Sequence, residues 1–369
     1  MGRPHPTLPL LSSKPAPPVT PLDRALSQLL TSLPAVRTQD LALVDAVGAT
    51  LAAPIVSPAT LPGQAVALRS GWAVTAVETV GAAAYAPAFL ATQPVRVRAG
   101  DVLPHGADAV VPPDAVTLAG VAELTVEGVP GEGARRVGED AAAGTILRAA
   151  GARVRAIDLA LGAAAGVSAC AARRVRIAVI GHPSADAASA MVASDAGRLG
   201  ALVRATSAAQ VSAADLSNRE ADLVVLVGFD GEGASVLAQG GREIAAAVGL
   251  RPGEGTALGI LDSGVPAVLV PARPEAAFAA SRCVLRPCLD HLTAAAAEPP
   301  GYRAPLTRKI ASTVGVAELA LLQISGEGLE PLAVADLTLA TLCAADAWLL
   351  VPAGREGYGA GEVVEAFAV

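Results

Sequence analysis

Three short, continuous apolar segments stand out along the chain, and each is followed by an Ala-rich segment with helical periodicity. They are RVRIAVIG at 174–181, DLVVLVG at 222–228 and PAVLVPA at 266–272. Buried strands that alternate with helices are typical of βαβ units, so the pattern predicts a parallel sheet covered on both faces. Ligands bind beyond the carboxyl ends of such strands. Functional residues are therefore expected at 181–186, 228–233 and 271–275.

The segments before this sheet are predicted to be partly helical. Thr20 is expected to cap a helix that Pro21 opens, with leucines at 22, 26, 29, 30 and 33 forming one apolar face. Further helices are predicted over 41–52 and 155–170. The Pro-rich residues 1–19 lack an apolar core and are expected to form a disordered tail.

Short strands separated by Gly and Pro dominate two other parts of the chain. Between 70 and 146 they predict a small β domain, a barrel or a sandwich, inserted between helices. The Ala, Pro and Gly content of residues 294–305 predicts a linker. After it, segments of alternating apolar and polar residues over 306–369 predict a final β domain. The predicted fold class is a multi-domain α/β plus β protein. Its predicted parts are the tail 1–19, a discontinuous helical and extended domain 20–53 and 147–172, an inserted β domain 54–146, an α/β domain 173–294 and a C-terminal β domain 301–369.

Composition narrows the class of protein. Hydrophobic residues make up 53% and aromatic residues only 2%, so the cores must be built from Ala, Val and Leu. No apolar run reaches the roughly 18 residues that span a bilayer, and prolines interrupt the start where a secretory signal would need an apolar run. A soluble cytoplasmic protein without a membrane partner is expected.

Two further classes are excluded: nucleic-acid-binding proteins by the net charge, and proteins with a Cys or His metal site by the spacing of those residues. The net charge is −7 and the pI about 5.2, whereas nucleic-acid binding usually shows as a basic domain. The four cysteines and four histidines have no metal-ligand spacing, so reduced core thiols are expected and no metal ligands are assigned. His182, at a strand end, is interpreted as an ordinary polar residue rather than a catalytic base.

Five strings in order resemble a known family. They are VDAVGATLAAPIVSP at 44–58, RAGDVLPHGADAVVPPDAV at 98–116, RRVGEDAAAGTIL at 135–147, RPGEG at 251–255 and AGEVVEAFAV at 360–369. Together they resemble the molybdopterin molybdenumtransferases, the MoeA and gephyrin E-domain family, over nearly the whole chain from Pro21 onward.

The resemblance implies an activity and an architecture. The family inserts molybdate into adenylylated molybdopterin during molybdenum cofactor biosynthesis, with Mg²⁺ as the expected cofactor. The implied subunit is elongated and has four parts, with a central three-layer α/β molybdopterin-binding domain. Two such subunits form a homodimer whose active site lies in the cleft between them. Because that reaction handles phosphates, an oxyanion and a cation, the site needs anion-binding backbone and carboxylates.

Some of the residues that would bind the anionic groups of the substrates are present. GFDGEG at 228–233 lies where the family has a glycine loop, so Gly228, Gly231 and Gly233 are candidate cofactor-binding residues. The alternative is a flexible connection with solvated acidic side chains. In RPGEG, Arg251 and Gly253 suit an anion, but Glu254 stands where the family has a lysine and would repel a phosphate. The alternative for this string is an ordinary surface turn.

The string PARPEAA at 271–277 adds three candidate anion-binding residues. Pro271 and Pro274 match two prolines of the family, and Arg273 between them could bind an oxyanion with two hydrogen bonds. The alternative for the prolines is a structural role, with Pro274 as the first residue of a helix.

The acidic residues of the family's site are mostly replaced. Ser70 stands at the position of an aspartate and Ala99 at that of a threonine, while GHPSA at 181–185 lacks two acids and Ala234 replaces another. A hydroxyl or methyl group does not hold Mg²⁺ as a carboxylate does. The catalytic candidates are therefore Ser70 together with Asp230 and Glu232 as substitute acids.

Two functions follow from this comparison. The first is a molybdopterin molybdenumtransferase with a rearranged site. The alternative is a catalytically inactive paralogue, a pseudo-enzyme that binds molybdopterin or assembles with another molybdenum-cofactor protein. A dinucleotide-dependent oxidoreductase is disfavoured, because GFDGEG has the wrong glycine order for that fingerprint.

Overall fold

A computed structural model describes residues 18–217, 219–229 and 233–369 of the chain. Its helices are α1 Leu22–Leu30, α2 Ala156–Ala165, α3 Asp186–Arg198, α4 Ala213–Leu216, α5 Gly233–Gly240, α6 Pro274–Ala280, α7 Arg286–Thr293 and α8 Leu339–Ala344. Its strands are β1 Val19–Pro21, β2 Gln39–Ala42, β3 Thr50–Leu51, β4 Ile55–Val56, β5 Val66–Ala67, β6 Gly71–Val74, β7 Ala88–Phe89, β8 Val95–Val97, β9 Ala109–Val111, β10 Val116–Ala119, β11 Val121–Leu124, β12 Ala134–Arg135, β13 Ile146–Arg148, β14 Ala169–Arg173, β15 Arg176–Gly181, β16 Leu202–Ser207, β17 Leu223–Val227, β18 Gly241–Ala245, β19 Ala247–Arg251, β20 Ala257–Leu261, β21 Pro266–Val270, β22 Tyr302–Pro305, β23 Ile310–Ala311, β24 Ala317–Ser325, β25 Gly328–Val334, β26 Ala347–Val351, β27 Gly357–Tyr358 and β28 Val363–Ala368. Most of the predicted tail, residues 1–17, lies outside the described residues.

The chain divides into two compact units. The α/β unit comprises the described residues up to Thr38, Gly48–Thr50 and Arg173–Val369. The inserted unit comprises Gln39–Val47 and Leu51–Ala172. The mixture of helices, a mainly parallel sheet and antiparallel sheets agrees with the predicted α/β plus β class.

A six-stranded sheet forms the centre of the α/β unit, in the order β16-β15-β17-β21-β20-β18. The first four strands are parallel, and β20 runs antiparallel to β21. Strand β18 pairs antiparallel with β20 and therefore runs in the same direction as the first four strands. The three predicted buried strands are β15, β17 and β21, which confirms the parallel sheet inferred from their apolar segments. The residues of β17 and β21 are buried throughout, as expected for strands covered on both faces.

Two layers of helices enclose this sheet. One face, with Ile177 and Val225, packs in a large core with side chains of α1, α3, α6 and α7. The opposite face, with Ile180 and Leu226, packs against Leu216 of α4 and side chains of α5. A π-helical turn, Ser281–Leu285, joins α6 to α7.

A second sheet of seven strands extends through the C-terminal part of the α/β unit. Its order is β1-β19-β24-β26-β28-β22, with β25 paired to β24. The segment predicted as a linker at 294–305 therefore ends in a strand, because the backbone of β22 pairs with β28. Trp348 on β26 is buried and stacks on Phe367, with ring centroids 5.1 Å apart.

The first two helix predictions need correction. Helix α1 begins at Leu22 rather than Pro21, and Thr20 does not cap it because Thr20 lies in β1, paired with Val248. Residues 41–52 are not a helix: Leu41 pairs with Cys170 across β2 and β14, and Gly48 has a φ of +84°. Backbone pairing of this segment replaces the helix that its apolar periodicity predicted.

The inserted unit consists mainly of small antiparallel sheets, as predicted. Two of them have the orders β8-β6-β9 and β10-β11-β7, with separate hydrophobic cores beneath them. Trp72 on β6 is half-buried, and its indole N–H donates to the carbonyl of Pro113 over 2.9 Å. The helix predicted over 155–170 is the shorter α2, which ends at Ala165 and is followed by Gly166 in the left-handed conformation.

The first turn of α2 contains a buried carboxylate. Asp158 is 3% exposed and accepts from the backbone N–H of Arg155 over 2.8 Å. Its oxygens also lie 3.0 Å from Nη2 of Arg155 and 3.4 Å from Nε of Arg148. Burial alone would raise the pKa of Asp158, but the hydrogen bonds from Arg155 and the charge of Arg148 lower it below its ordinary value.

Neither a membrane span nor a disulfide is found in the part of the chain that the structure describes. None of its helices is long and apolar enough to cross a bilayer. All four cysteines are free, and Cys283 and Cys288 are buried as predicted. The prediction of a core thiol is wrong for Cys343, which is exposed, and Cys170 is half-buried.

Candidate functional site

The carboxyl ends of three parallel strands lie next to one another at one edge of the six-stranded sheet. The backbone N–H of His182, just after β15, donates to Val227 O over 2.8 Å. The N–H of Gly228, just after β17, donates to Val270 O over 2.9 Å. The segments that follow β15, β17 and β21 are therefore side by side, at the edge where parallel α/β sheets bind ligands.

Gly228 is required by the backbone at this edge. Its φ is +83°, and a Cβ placed on it would lie 2.4 Å from the Cβ of Ala185. Both the conformation and the close approach favour glycine. Of the other glycine-loop candidates, Gly233 is the first residue of α5. Asp230, Gly231 and Glu232 lie outside the described residues.

His182 makes local contacts at the same edge. Its Nδ1 accepts from the backbone N–H of Ser184 over 3.2 Å and lies 2.7 Å from the Ser184 hydroxyl. Its ring meets Phe229 edge to face at 5.7 Å. These contacts are those of a side chain that caps the turn Pro183–Ala185, in line with its interpretation as an ordinary polar residue.

The RPGEG segment forms a tight turn after β19. The peptide bond between Arg251 and Pro252 is cis, and Gly253 has a φ of +134°. The N–H of Gly253 donates to Oε2 of Glu254 over 3.1 Å. The turn therefore directs the Glu254 side chain back towards Arg251.

Arg251 and Arg273, the two predicted anion-binding cations, are brought together by Glu254. One carboxylate oxygen of Glu254 lies 3.4 Å from Nε of Arg251, and the other lies 3.8 Å from Nη2 of Arg273. Arg251 also pairs with Glu318 at 3.6 Å, and Arg273 with Glu275 at 3.3 Å. We call these five residues the Arg–Glu chain.

The Arg–Glu chain carries three carboxylates against two guanidinium groups. Its formal charge is therefore −1, whereas the arginine pair alone would carry +2. Glu318 is 4% exposed and also accepts from the N–H of Thr313 over 3.1 Å. The position of Glu254 agrees with its predicted effect, since a bound oxyanion would meet a carboxylate between the arginines.

The sequence prediction missed Glu275 and Glu318 as partners of these arginines. Glu318 is the one charge in the apolar strand AELALLQIS, and a buried charge requires a cationic or hydrogen-bonding partner. That requirement was visible in the sequence, but the identity of the partner was not. Arg251 and Glu318 meet because β19 pairs with β24 across 67 positions of the chain, Arg251 opposite Glu318.

The two prolines among the candidates have structural positions. Pro274 is the first residue of α6, as predicted. Pro271 is buried, and its Cγ lies 3.8 Å from a Cβ placed on Gly255. Both therefore shape the backbone next to the Arg–Glu chain.

Ser70, the remaining catalytic candidate, belongs to the inserted unit. It directly precedes β6, and its hydroxyl accepts from the N–H of Ala99 over 3.4 Å. The adjacent Arg69 donates to Glu132 over 2.7 Å and to the carbonyl of Val110. The hydrogen bond from Arg69 lowers the pKa of Glu132. Ser70 therefore lies in a loop, where its hydroxyl contacts a backbone N–H next to the ion pair between Arg69 and Glu132.

The residues described do not suit a magnesium ion. Among them, no group of three or more His, Cys, Asp or Glu side chains is arranged to hold a metal. The acids near the sheet edge, Glu254, Glu275 and Glu318, are each paired with arginine, which competes with a cation for their oxygens.

In sequence, the N-terminal part of the chain is similar to known proteins. Residues 20–166 match the family model described as the MoeA N-terminal region, domains I and II. This part of the chain is therefore similar to the N-terminal region of MoeA proteins. It is 34% identical over 145 residues to molybdopterin molybdenumtransferase 2 of Mycobacterium tuberculosis, which is 34% of this chain and 36% of that protein. It is 28% identical over 162 residues to the molybdopterin molybdenumtransferase of Haemophilus influenzae, 40% of each chain.

Solved structures of MoeA proteins share the fold over almost the whole chain. The molybdopterin biosynthesis MoeA protein of Pyrococcus horikoshii OT3 has a TM-score of 0.69 at 21% identity, covering 95% of this chain and 100% of that one. A molybdenum cofactor biosynthesis protein of Pyrococcus furiosus has a TM-score of 0.61 at 20% identity, with the same coverage. At these identities the likeness shows the MoeA fold alone. In sequence, the chain spans only about a third to two fifths of the length of the curated relatives it matches.

Proposed function

We propose that this chain acts in molybdenum cofactor biosynthesis, in the manner of a molybdopterin molybdenumtransferase. The observation that carries the proposal is the match of residues 20–166 to the MoeA N-terminal region and to proteins named for that activity. The proposed substrates are adenylylated molybdopterin and molybdate. A homodimer, a cytoplasmic location and domain boundaries near residues 54, 147, 173 and 301 belong to the same proposal.

The sheet edge supplies groups suited to an anionic substrate. The left-handed Gly228 lets the backbone approach a ligand closely, and α5 begins five residues later. Arg251 and Arg273 lie on the two sides of Glu254, so displacing that one carboxylate removes a partner that both guanidinium groups share. In the proposed binding step, an oxyanion of the substrate replaces the Glu254 carboxylate and accepts hydrogen bonds from the two arginines.

The Arg–Glu chain also supports a second candidate function. Its arginines are already paired with carboxylates, and the described acids do not suit Mg²⁺. A protein with this arrangement would bind molybdopterin more readily than it would catalyse hydrolysis of the phosphoanhydride. The second candidate is therefore the inactive paralogue, which binds molybdopterin or assembles with another molybdenum-cofactor protein.

One assay separates the two candidates. The full chain is mixed with adenylylated molybdopterin, molybdate and Mg²⁺, and AMP release and ligand binding are measured in parallel. Turnover lost in the double variant Arg251→Gln/Arg273→Gln, but retained in the control Arg303→Gln on β22, supports the transferase. Binding without turnover supports the inactive paralogue. The absence of both contradicts the proposed function.

A further inference from the structure

Two aromatic side chains of the inserted unit are exposed to solvent, unlike the other aromatic residues of the chain. Tyr85 is 93% exposed, and Phe89 on β7 is 65% exposed. The chain has only two Trp, three Tyr and four Phe residues, and the remaining seven are buried or half-buried. Large apolar side chains that are exposed close together mark surfaces that another molecule covers.

Phe89 lies on the outer face of the three-stranded sheet β10-β11-β7. It pairs directly with Glu123 of β11, and directly paired residues of antiparallel strands point to the same face. Val121, two residues before Glu123, is on that face as well and is 58% exposed. Leu90 and Ala122, the neighbours in sequence, lie in the core beneath. The outer face thus presents an aromatic ring, a valine and a carboxylate side by side.

Tyr85 is carried by an ordered turn close to this face. The backbone N–H of Ala83 donates to Ala86 O over 3.0 Å, and that of Ala86 donates to Ala83 O over 2.9 Å. Tyr85 is one of the two residues at the tip of the turn that these bonds close. It precedes Phe89 by four residues, which even an extended chain would separate by at most about 14 Å. The backbone that presents both rings is therefore ordered before a partner binds, which lowers the entropy cost of association.

The charges of the segments that form this surface are all negative. Residues 76–93 and 115–128 contain Glu78, Glu123 and Glu127 but no Lys, Arg, His or Asp. Hydrogen bonds hold Glu127 against the loop before the two aromatic residues and Glu78 against the loop after them. None of the three glutamates forms an ion pair with a residue that the structure describes. Their charges are therefore available to a cationic partner.

Charge decides which occupant fits this surface. A second copy of the same surface would bring like charges together, and an anionic membrane would be repelled in the same way. A cationic protein segment meets opposite charge instead. Arginine suits the pair of Phe89 and Glu123 in particular, because a guanidinium group stacks on an aromatic face and binds a carboxylate with two hydrogen bonds.

We propose that the acidic–apolar face, formed by Tyr85, Phe89, Val121 and Glu123 and bordered by the two other glutamates, binds a basic and apolar segment of another protein. An arginine of that segment stacks on Phe89 and pairs with Glu123. Aliphatic side chains next to the arginine cover Val121 and Tyr85. The inference does not rest on the proposed function, because it uses none of the residues of the candidate site.

Three synthetic peptides test this surface by fluorescence anisotropy with the full chain at about 0.15 M salt. A labelled peptide of alternating arginine and valine is the probe and should bind. A peptide of alternating arginine and serine carries the same charge without apolar side chains, and should bind about tenfold more weakly. A peptide of alternating glutamate and valine should not bind, because its charge is repelled.

Substitutions on the face separate its apolar and charged contributions. Tyr85→Ser and Phe89→Ser keep the net charge and should each weaken binding of the arginine–valine peptide about tenfold, while the double variant should abolish it. Glu123→Gln should weaken binding about three- to tenfold. Leu339→Ser and Glu327→Gln, at exposed positions of the α/β unit, are the matched controls and should bind like the wild type. Circular dichroism of every variant verifies that the fold is retained.

Several outcomes overturn the proposal. One is that the arginine–valine peptide does not bind, or that it still binds the Tyr85→Ser/Phe89→Ser variant. Another is that the arginine–serine peptide binds equally tightly, which would show only attraction to an acidic protein. In sedimentation, self-association of the wild type that the double variant lacks would make a second copy the occupant. Binding to phosphatidylserine vesicles that the double variant lacks would make it a membrane.

Discussion

Glu254 determines the charge that an incoming anion meets at the arginine pair. It stands between Arg251 and Arg273 and contacts both with its two carboxylate oxygens. All three side chains are partly exposed, so each ion pair by itself contributes little to folding. Their importance is for binding, because a carboxylate already occupies the position that an oxyanion would take.

Replacing Glu254 by glutamine should therefore increase anion affinity. Glu254→Gln removes the negative charge and keeps the shape of the side chain, so pyrophosphate or molybdate should bind about three- to tenfold more tightly. The measurement is calorimetric titration at low salt. Glu356→Gln, an exposed glutamate of the same unit that forms no ion pair with any residue the structure describes, is the control for the change in net charge. Equal affinities in the two variants would contradict this role of Glu254.

Asp158 shows the opposite case, a carboxylate whose pairing matters for stability. Burial raises its pKa, but the bonds from Arg155 and the charge of Arg148 lower it overall, so the folded state favours the ionised form. Its contribution to stability is therefore complete above its unfolded pKa of about 3.9 and is lost as the pH falls through the lower folded value.

Asp158→Asn should destabilise the inserted unit by about 2 kcal/mol at pH 7, since it removes a charged acceptor at a helix start. Urea unfolding from pH 6 to pH 2.5 should show this difference decreasing below about pH 4 as the wild-type carboxyl is protonated. Asp45→Asn, an exposed aspartate of the same unit, should differ little from wild type. A difference that does not depend on pH would contradict the ionic origin of the effect.

At the candidate site, the sequence predicted individual residues better than their partners. Gly228 and Pro274 were recognised because glycine and proline restrict the backbone locally. The contacts of Arg251 and Arg273 could not be predicted, since they depend on strand pairing between distant segments. Glu254 lies close to Arg251 in sequence, but its contact with Arg273 requires β19 and β21 to end near each other.

Among the elements, α1 shows how a predicted helix acquires its position. Its apolar face was visible in the spacing of the leucines, and Leu22, Ala25 and Leu29 are buried. Its start was wrong by one residue because β1 extends to Pro21 and pairs with β19. Local sequence therefore specified the helix, while a tertiary contact determined where it begins.

Leu29→Ala should test how strongly α1 stabilises the α/β unit. Leu29 is fully buried in the core that also contains Leu289 of α7, so the substitution leaves a cavity and should cost about 3 kcal/mol. Gln28→Ala, on the exposed face of the same helix, should change stability by less than about 0.5 kcal/mol. Chemical denaturation of both variants provides the comparison. Similar midpoints would show that α1 is only loosely attached.

The segment at 41–52 shows the limit of periodicity. Its apolar residues fit a helix, but it contains Gly48 in the left-handed conformation, and its ends pair as β2 and β3 with β14. For the buried strands β15, β17 and β21, by contrast, both the apolar composition and the short length of each segment indicated a strand, and the prediction was correct. The secondary structure of a short amphipathic segment depends on the strands or helices that it contacts, whereas that of a continuous apolar strand depends mainly on burial.

For the molecule as a whole, the cysteines provide a measure of global opening. Burial raises the pKa of Cys283 to about 12 and that of Cys288 to about 12, and both lie in the main core of the α/β unit. Thiols of this kind react only when the core becomes accessible, because the thiolate is the reactive form. Cys343 is exposed and Cys170 is half-buried.

Labelling with a thiol reagent at pH 8 should therefore proceed in separate phases. Cys343 should react fast, Cys170 more slowly, and the two core thiols at the rate of global unfolding. Mass spectrometry of the labelled peptides assigns each phase, and Cys343→Ser should remove only the fast one. Fast labelling of Cys283 in the native protein would contradict the packing described for α6 and α7.

The two tryptophans are distributed one to each compact unit. Trp72 is half-buried in the inserted unit, and Trp348 is stacked on Phe367 in the α/β unit. Since the chain contains no others, Trp72→Phe and Trp348→Phe each leave a single indole fluorophore. Emission from one form then follows the melting of one half of the protein, so coincident or separate transitions show directly whether the halves unfold cooperatively.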